Sequence, residues 1–183
     1  PDRSGGMPLM QALAQRHSER SFAAGALSQQ QLSDLLWAAD GINRPELLER
    51  TAPSAMNAQE IVIYVALQDG LYRYEPAKHV LALVAHADAR RVTGLQDFVD
   101  NAPVDLVYVA DHTRMLLIPE QQRTTWAAVC AGAIAQNVYL YCASAGLVTV
   151  VRGLFDEAAL RSALVLSPSE KIVLTQTVGQ PAR

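Results

Sequence analysis

The stretch from Thr124 to Ala145 constrains the fold of this chain more than any other segment, because it is long, apolar and free of proline. Its apolar pattern predicts a single helix, and Gly146 follows at the position where helices commonly end on glycine. Many of its residues are small, and they lie on several faces: Ala127, Ala128, Ala131, Gly132, Ala133 and Ala135. Because small residues let another helix approach closely, two interpretations remain open. The segment is a central core helix, or it packs against its own copy across a twofold axis.

Composition indicates one domain, residues 1–183, and excludes some classes of protein. Of the 183 residues, 50% are hydrophobic and 18% are charged. This length is enough for one sizeable core, and this composition argues against intrinsic disorder. The 15 basic and 18 acidic residues give a net charge of −3, so no broad basic field is available for nucleic acid. Any anion site has to be built from a few placed arginines.

Helical and strand patterns alternate along the rest of the chain. Asp69-Gly70 is typical of a hairpin turn between two strands. The predicted helices are 8–15, 28–41, 88–100, 124–145 and 156–164. The predicted strands are 61–67, 71–74, 104–110, 147–151 and 171–178. Because one strand pair is a hairpin, we expect an α+β fold with a mixed sheet rather than a regular βαβ winding.

The chain gives little information on its compartment. The richest apolar stretch, 127–151, is interrupted by Gln136, Asn137 and Ser144, so we expect no membrane-spanning helix and no membrane partner. The sequence begins at Pro1, and two locations stay open: the cytoplasm, or the periplasm if a leader was removed before Pro1. Two cysteines stand in the long predicted helix, at positions 130 and 142. A separation of about 18 Å along that helix excludes a disulfide between them.

Motifs for phosphate-loop, metal and hydrolase chemistry are not found in the sequence. It has no G-x-x-x-x-G-K-[ST], no H-E-x-x-H, no C-x-x-C and no G-x-S-x-G. The histidines, at positions 17, 79, 86 and 112, do not have metal-ligand spacing, and we expect the last three to lie at the surface. We therefore predict no metal site.

Three short segments remain as candidates for binding. Arg16-His17-Ser18-x-Arg20 offers two guanidiniums and a hydroxyl that can hold an anion, although a solvated basic turn has the same composition. Pro53–Gln59 carries small and amide residues that suit a planar heteroaromatic ring, or form an ordinary turn. Val150–Gly153 ends in a glycine, which either lets a backbone N–H approach a ligand or is an ordinary loop glycine.

Taken in this order, the three segments resemble the FMN-dependent nitroreductase family. The agreement is closest to its dehydrogenase branch, which includes the flavin oxidases that form thiazoles and oxazoles in peptide natural products. Four further segments carry the resemblance along nearly the whole chain: Gly70–Tyr74, Ala102–Val104, Ala135–Leu140 and Val178–Pro181.

The resemblance implies a fold, a partner and a set of site residues. It implies a mainly antiparallel sheet flanked by helices, and a homodimer with two FMN molecules at an interface formed by the long helix. The flavin phosphate, ribityl chain and pyrimidine edge would be held by Arg16, Ser18 and Arg20, with His17 in the same loop and Arg183 at the phosphate. The partner's flavin would be reached by Pro53, Ser54, Ala55 and Asn57. The pyrimidine edge would also face Gln96, and the ring would face Val151, Arg152 and Gly153, with the Gly153 amide at N5.

The resemblance also implies an activity, because a flavin performs hydride transfer without a protein nucleophile or metal. NAD(P)H or another donor would reduce FMN, and an electron-poor acceptor would then take the same place in a ping-pong cycle. Nitroaromatics, quinones and azoline-type peptides are all compatible acceptors. Many relatives have an acidic residue at the position of Arg152. The alternatives are a dimeric flavin-sequestering protein with little turnover and an α+β interaction module that binds no flavin.

Overall fold

One antiparallel sheet with helices on both faces forms the centre of the protein, and this confirms the predicted α+β class. The computed structural model describes residues 1–182. The strand order is β1-β9-β7-β4-β5-β6, and β8 also pairs with β9. A second, two-stranded sheet joins β2 to β3. The helices are α1 (Leu9–Gln15), α2 (Gln29–Asp40), α3 (Glu120–Ala145) and α4 (Glu157–Leu164). The strands are β1 (Phe22–Ala23), β2 (Ile42–Arg44), β3 (Glu49–Arg50), β4 (Ile61–Leu67), β5 (Gly70–Glu75), β6 (Val80–Ala85), β7 (Val104–Asp111), β8 (Val148–Arg152) and β9 (Glu170–Pro181).

The long helix α3 begins four residues earlier than predicted and ends at Gly146, as the sequence indicates. Gly146 has a φ of 68°, the left-handed conformation that glycine adopts without steric cost, and its amide donates to the Cys142 carbonyl. One face of α3 lies on the sheet and on α2, and both cysteines are free and buried, as expected. The helix therefore forms the base on which the strands and loops around it are arranged.

Within residues 1–182, α3 alone is long and apolar enough, by length and composition, to cross a membrane. The sequence analysis expected no such segment because it treated the polar side chains as interruptions. The same composition suits a core helix, and α3 packs against the sheet along one face. Only 39% of its most apolar window is buried in the protomer, however, so an apolar face is left over.

Side chains of β7 alternate between the two faces of the sheet, because successive residues of a strand point in opposite directions. Leu106 and Tyr108 join the cluster beneath α2 and α3, whereas Val107 and Val109 pack with α4. These four side chains are fully buried. The two clusters pack against opposite faces of the sheet, so the loops at the ends of the strands are the parts available for binding.

Residues 88–100 do not form the helix that the sequence predicts. A short 3-10 turn, Arg90–Thr93, is followed by extended backbone at Gly94. The Thr93 carbonyl accepts a hydrogen bond from the Arg152 side chain at 2.8 Å, so it does not pair with a following amide. A long-range contact therefore replaces the helical bond that the apolar spacing favours.

The hairpin at Asp69-Gly70 is confirmed, but it extends into a third strand, β6, that the sequence analysis did not predict. At the end of this meander His79 is half-buried rather than at the surface. Its ring lies between the Tyr74 hydroxyl at 2.8 Å and the Ser33 hydroxyl at 2.7 Å. This histidine ties the β5–β6 turn to α2 and is a structural link.

Candidate functional site

Tyr139 of α3 brings two of the three candidate segments together. Its hydroxyl lies 2.8 Å from the Ser18 hydroxyl and accepts a hydrogen bond from the Val151 amide at 3.0 Å. The Arg16 guanidinium lies 5.0 Å above the centre of its ring, in a cation–π arrangement. The basic segment near the N-terminus and the end of β8 therefore share one anchor. Sequence reasoning included Tyr139 in a family motif but did not assign it to the site.

The basic segment keeps its positive charge available. Among residues 1–182, neither Arg16 nor Arg20 forms an ion pair. The carboxylate between them, Glu19, instead accepts the backbone amides of Ser21 and Arg20, which lower its pKa. His17 is exposed and its Nδ1 donates to the Gln15 carbonyl at 2.8 Å. Two guanidiniums without partners beside a hydroxyl suit a phosphate.

The end of β9 lies beside this segment, because the amide of Ala182 donates to the carbonyl of Ser21. Arg183, which the resemblance places at the phosphate, lies outside the described residues.

The Pro53–Gln59 loop is held in an unusual backbone conformation. Met56, Asn57 and Gln59 have φ values of 54°, 52° and 50°, which residues with a Cβ seldom adopt. Ser54 holds the loop closed by accepting the Gln59 amide at 2.7 Å and donating to Glu60 at 2.7 Å. Such strain persists only where the surroundings impose it, and it is common at ligand-binding loops. Ser54 and Ala55 are half-buried, whereas Pro53 and Asn57 are exposed.

Within one protomer this loop does not join the site at Tyr139. It packs near Cys130 and Ile134, whereas Tyr139 lies further along the same helix by about 14 Å from Cys130. Burial raises the pKa of the Cys130 thiol to about 11, so it stays protonated at neutral pH and is a poor nucleophile. The loop is therefore a separate element, which can contact a ligand only from a different direction than the residues at Tyr139.

Arg152, which the resemblance places along the flavin ring, points its side chain into the interior. Its side chain is buried, and the guanidinium donates to Asp105 at 2.7 Å and to the Thr177 hydroxyl at 2.9 Å. Turning this side chain outward would leave the Asp105 carboxylate buried without its counter-charge, so the backbone of Arg152 is the part that remains available for the expected contact with the ring. Strand register explains the pairing, because Asp105 on β7 faces Thr177 on β9, and β8 lies on the other side of β9.

The next residue, Gly153, is open to the surface. A Cβ built on it meets no atom within 4 Å, and its φ lies outside the left-handed region. Neither crowding within the protomer nor backbone strain therefore requires glycine at this position. The free space beside its amide is a place where a ligand can approach the backbone.

The loop that carries Gln96 lies beside the loop of Gly153. The amide of Leu95 donates to the Leu154 carbonyl at 3.2 Å, which ties the loop of Gln96 to the loop of Gly153. The Gln96 side chain is half-buried, and its Oε1 lies 3.5 Å from the Arg152 guanidinium. Tyr139 thus joins Arg16, Ser18 and Val151. Gln96 and Gly153 lie on neighbouring loops beyond the end of β8, and the Arg152 side chain lies in the interior.

An apolar surface lies on α1 and on the N-terminal half of α3. On α1 it consists of the exposed Leu9 and Met10, and on α3 of Trp126 and Val129, which are 43% and 55% exposed. Gly132 lies on α3 as well, and a Cβ built there meets no atom within 4 Å. No group of three or more metal-ligating side chains occurs in residues 1–182.

Comparison with known proteins identifies close relatives of this chain. The sequence profile of the nitroreductase family matches residues 13–180. A protein of Methanocaldococcus jannaschii assigned to the nitroreductases is 30% identical over an alignment of 182 positions, and the match covers 94% of this chain and 90% of that protein. A crystal structure assigned to the nitroreductases, from Ralstonia eutropha, is 51% identical and superimposes with a TM-score of 0.95. That match covers 100% of this chain and 87% of the other.

Two more distant solved structures share the fold. An FMN complex of a Desulfovibrio desulfuricans protein is 24% identical, with a TM-score of 0.69 over 97% of this chain and 88% of the other. The microcin synthetase complex of Escherichia coli contains a chain that is 18% identical, with a TM-score of 0.79. That likeness covers 100% of this chain and 77% of the other.

Proposed function

The chain belongs to the nitroreductase family, and from that premise we propose that it is an FMN-dependent oxidoreductase. It would transfer a hydride from a reduced nicotinamide, or another donor, through FMN to an electron-poor acceptor. The observation that carries this proposal is the convergence at Tyr139, where Ser18 and Val151 meet beneath the Arg16 guanidinium.

The residues at this position fit FMN. A phosphate needs cationic donors that are not already neutralised, and Arg16 and Arg20 meet that condition within the described residues. A flat ring needs open space beside a backbone donor, and the surroundings of Gly153 offer it. Gln96 adds an amide beside the same opening.

When bound, FMN supplies the hydride chemistry, which frees the protein from providing a nucleophile or a metal. The chain's own residues then have three tasks. Arg16 and Arg20 hold and neutralise the phosphate, and the Ser18 hydroxyl fixes their segment to Tyr139. The Gly153 N–H would donate a hydrogen bond to the ring, and Gln96 would bind the pyrimidine edge. Fixed donors of this kind stabilise the negative charge of a reduced ring at no cost in reorganisation.

A homodimer completes the proposed site. The apolar residues of α1 and the exposed face of α3, together with Gly132, form a surface suited to close packing of two α3 helices. In such a pair the Pro53–Asn57 loop, which is remote from Tyr139 in its own protomer, is available to the partner's flavin. The strained backbone of that loop supports a binding role.

The acceptor belongs to the electron-poor class of nitroaromatics, quinones and azoline-type peptides. Likeness to the microcin synthetase chain is consistent with the dehydrogenase and oxidase branch of the family, but at 18% identity it supports the fold rather than a substrate. The buried position of Arg152 adds no positive charge to the opening at Gly153, so Arg152 does not bias the site towards anionic acceptors.

Titration of the apoprotein with FMN, followed by anaerobic mixing with NADH or NADPH, tests the proposal. We expect FMN to bind and its visible absorbance to bleach. Arg20→Ala should weaken FMN binding at least tenfold, because one charge-assisted contact contributes roughly 1.5–3 kcal/mol and about 1.4 kcal/mol corresponds to tenfold. Arg44→Ala is the matched control, since Arg44 is an exposed arginine that already pairs with Glu49.

Two results would contradict the proposal in different ways. A protein that gains no flavin absorbance is an interaction module and not a flavoprotein. A protein that binds FMN but is not reduced by any donor is a flavin-sequestering protein.

A further inference from the structure

Every N–H group of the Arg152 guanidinium has an acceptor in the interior. Its Nε donates to Thr177 Oγ1 at 2.9 Å, and its Nη2 donates to Asp105 Oδ1 at 2.7 Å and Thr93 Oγ1 at 3.1 Å. Its Nη1 donates to the Thr93 carbonyl at 2.8 Å and to Gln96 Oε1 at 3.5 Å. A guanidinium offers five N–H donors. Thr177, Asp105 and Thr93 accept four of them, and Gln96 accepts the fifth.

This arrangement decides which way the Gln96 amide points. A guanidinium has no acceptor, so the atom of Gln96 that faces it has to be the oxygen and not the nitrogen. The Nε2 group therefore lies on the other side, and no protein acceptor within residues 1–182 bonds to it. The half-buried Gln96 thus keeps a hydrogen-bond donor that a ligand can use, on the side of the amide that faces away from Arg152.

Gly94 makes this contact possible. A Cβ at position 94 would overlap Arg152 Nη1 and would lie 2.6 Å from Gln96 Oε1. The backbone there is extended, with φ −173°, so steric space rather than backbone conformation requires the glycine. Asp105, which is fully buried, balances the charge of Arg152, so the guanidinium acts through geometry rather than as a surface charge.

We infer that Arg152 is a positioning residue, which turns the Gln96 amide so that its N–H group faces the pyrimidine edge of the cofactor. This inference rests on the proposed function. A donor held at that edge bonds more strongly to the reduced flavin, whose negative charge is concentrated near N1 and O2. Arg152 and Gln96 together therefore raise the reduction potential of bound FMN.

The midpoint potential of the FMN-loaded protein tests this inference, measured by equilibration with a redox dye. Gln96→Glu replaces the donor by a carboxylate, and we expect reduced FMN to bind about tenfold more weakly relative to oxidised FMN. That change is a downward shift of about 30 mV in the two-electron potential. Gln68→Glu, which adds the same charge at the exposed β4–β5 turn, is the control and should leave the potential unchanged.

A double-mutant cycle tests whether Arg152 acts through Gln96. Arg152→Lys can still pair with Asp105 but has too few donors for all the acceptors, so we expect it to lower the potential in the parent protein. In a Gln96→Ala background it should cause no further fall. If Arg152→Lys does not fold, Gly94→Ala perturbs the same contact and should lower the potential as well.

The outcomes separate this inference from the proposed function. If the parent protein binds no FMN, the proposed function fails. If it binds FMN but Gln96→Glu leaves the potential at the parent value, the inference about Gln96 fails while the proposed function stands. If Arg152→Lys shifts the potential equally in both backgrounds, Arg152 acts directly and its positioning role is wrong.

Discussion

Replacing Tyr139 by phenylalanine removes one oxygen atom from the point where the candidate segments meet. The Val151 amide loses its acceptor at 3.0 Å, and the Ser18 hydroxyl loses its partner at 2.8 Å. The ring itself stays, so the cation–π contact with Arg16 at 5.0 Å is preserved. The substitution therefore separates the hydrogen bonds of Tyr139 from its packing.

The size of the effect follows from the burial of each group. Val151 is half-buried, and leaving its N–H without an acceptor costs roughly 1–3 kcal/mol. Ser18 is exposed and can bond to water instead, so its loss adds little. We expect the free energy of unfolding to fall by about 1–2 kcal/mol. If Ser18 and Val151 both border the cofactor, as proposed, FMN affinity should fall about tenfold, which corresponds to about 1.4 kcal/mol.

Urea unfolding and fluorescence titration with FMN measure the two effects. Tyr108→Phe is the matched control, because the Tyr108 hydroxyl donates to Gln176 in the interior and touches none of the candidate segments. It should lower stability to a similar extent without changing FMN affinity. Equal FMN affinities for Tyr139→Phe and the parent protein would refute the role of Tyr139 as the shared anchor.

Three further predictions concern other parts of the molecule. Gly153→Ala should leave stability unchanged or raise it by up to about 1 kcal/mol, because the added Cβ meets no atom. The same substitution should weaken FMN binding at least tenfold in a titration, and an unchanged affinity would exclude Gly153 from the site. Gly132→Leu should preserve the helical circular dichroism signal but convert a dimer to a monomer in size-exclusion chromatography, whereas Ala158→Leu on the exposed face of α4 should not. Burial raises the pKa of Asp40 to about 7. The Arg50 guanidinium opposes this rise, and the Glu60 carboxylate adds to it. The folded protein then holds a proton that the unfolded chain releases near pH 4, so the contribution of Asp40 to stability should fall between pH 5 and 7, by at most about 1.4 kcal/mol per pH unit. Burial raises the pKa of Asp105 to about 7 as well, so Asp40→Asn should reduce the pH dependence measured by urea unfolding without abolishing it.

Local patterns in the sequence were enough to predict much of the framework. The apolar, alanine-rich stretch and Gly146 define the end of α3, because a helix pattern and a left-handed glycine are encoded by neighbouring residues. Ser28 caps α2 through a capping box with Gln31, and Asp69-Gly70 marks the hairpin. The order of short motifs also indicates the nitroreductase family, which the comparisons confirm.

The failures arise where a distant residue overrides a local pattern. Residues 88–100 have helical spacing, but Arg152 takes the Thr93 carbonyl and Gly94 turns extended. Strand β1 has two residues, too few to show a pattern, and β6 is apolar at every position, so it shows no alternation; their neighbours β9 and β5 determine them. In both cases the structure is determined by residues outside the segment itself: Arg152 for residues 88–100, and the neighbouring strands for β1 and β6.

The candidate site divides in the same way. The sequence by itself determined which residue types are available: guanidiniums and a hydroxyl in Arg16–Arg20, amides in Pro53–Gln59 and a glycine after β8. Only the tertiary structure decided that Tyr139 joins two of these segments, and that Arg152 faces inward to Asp105 instead of outward to a ligand. The direction of a charged side chain depends on where its counter-charge lies once the strands have paired. No pattern of neighbouring residues contains that information.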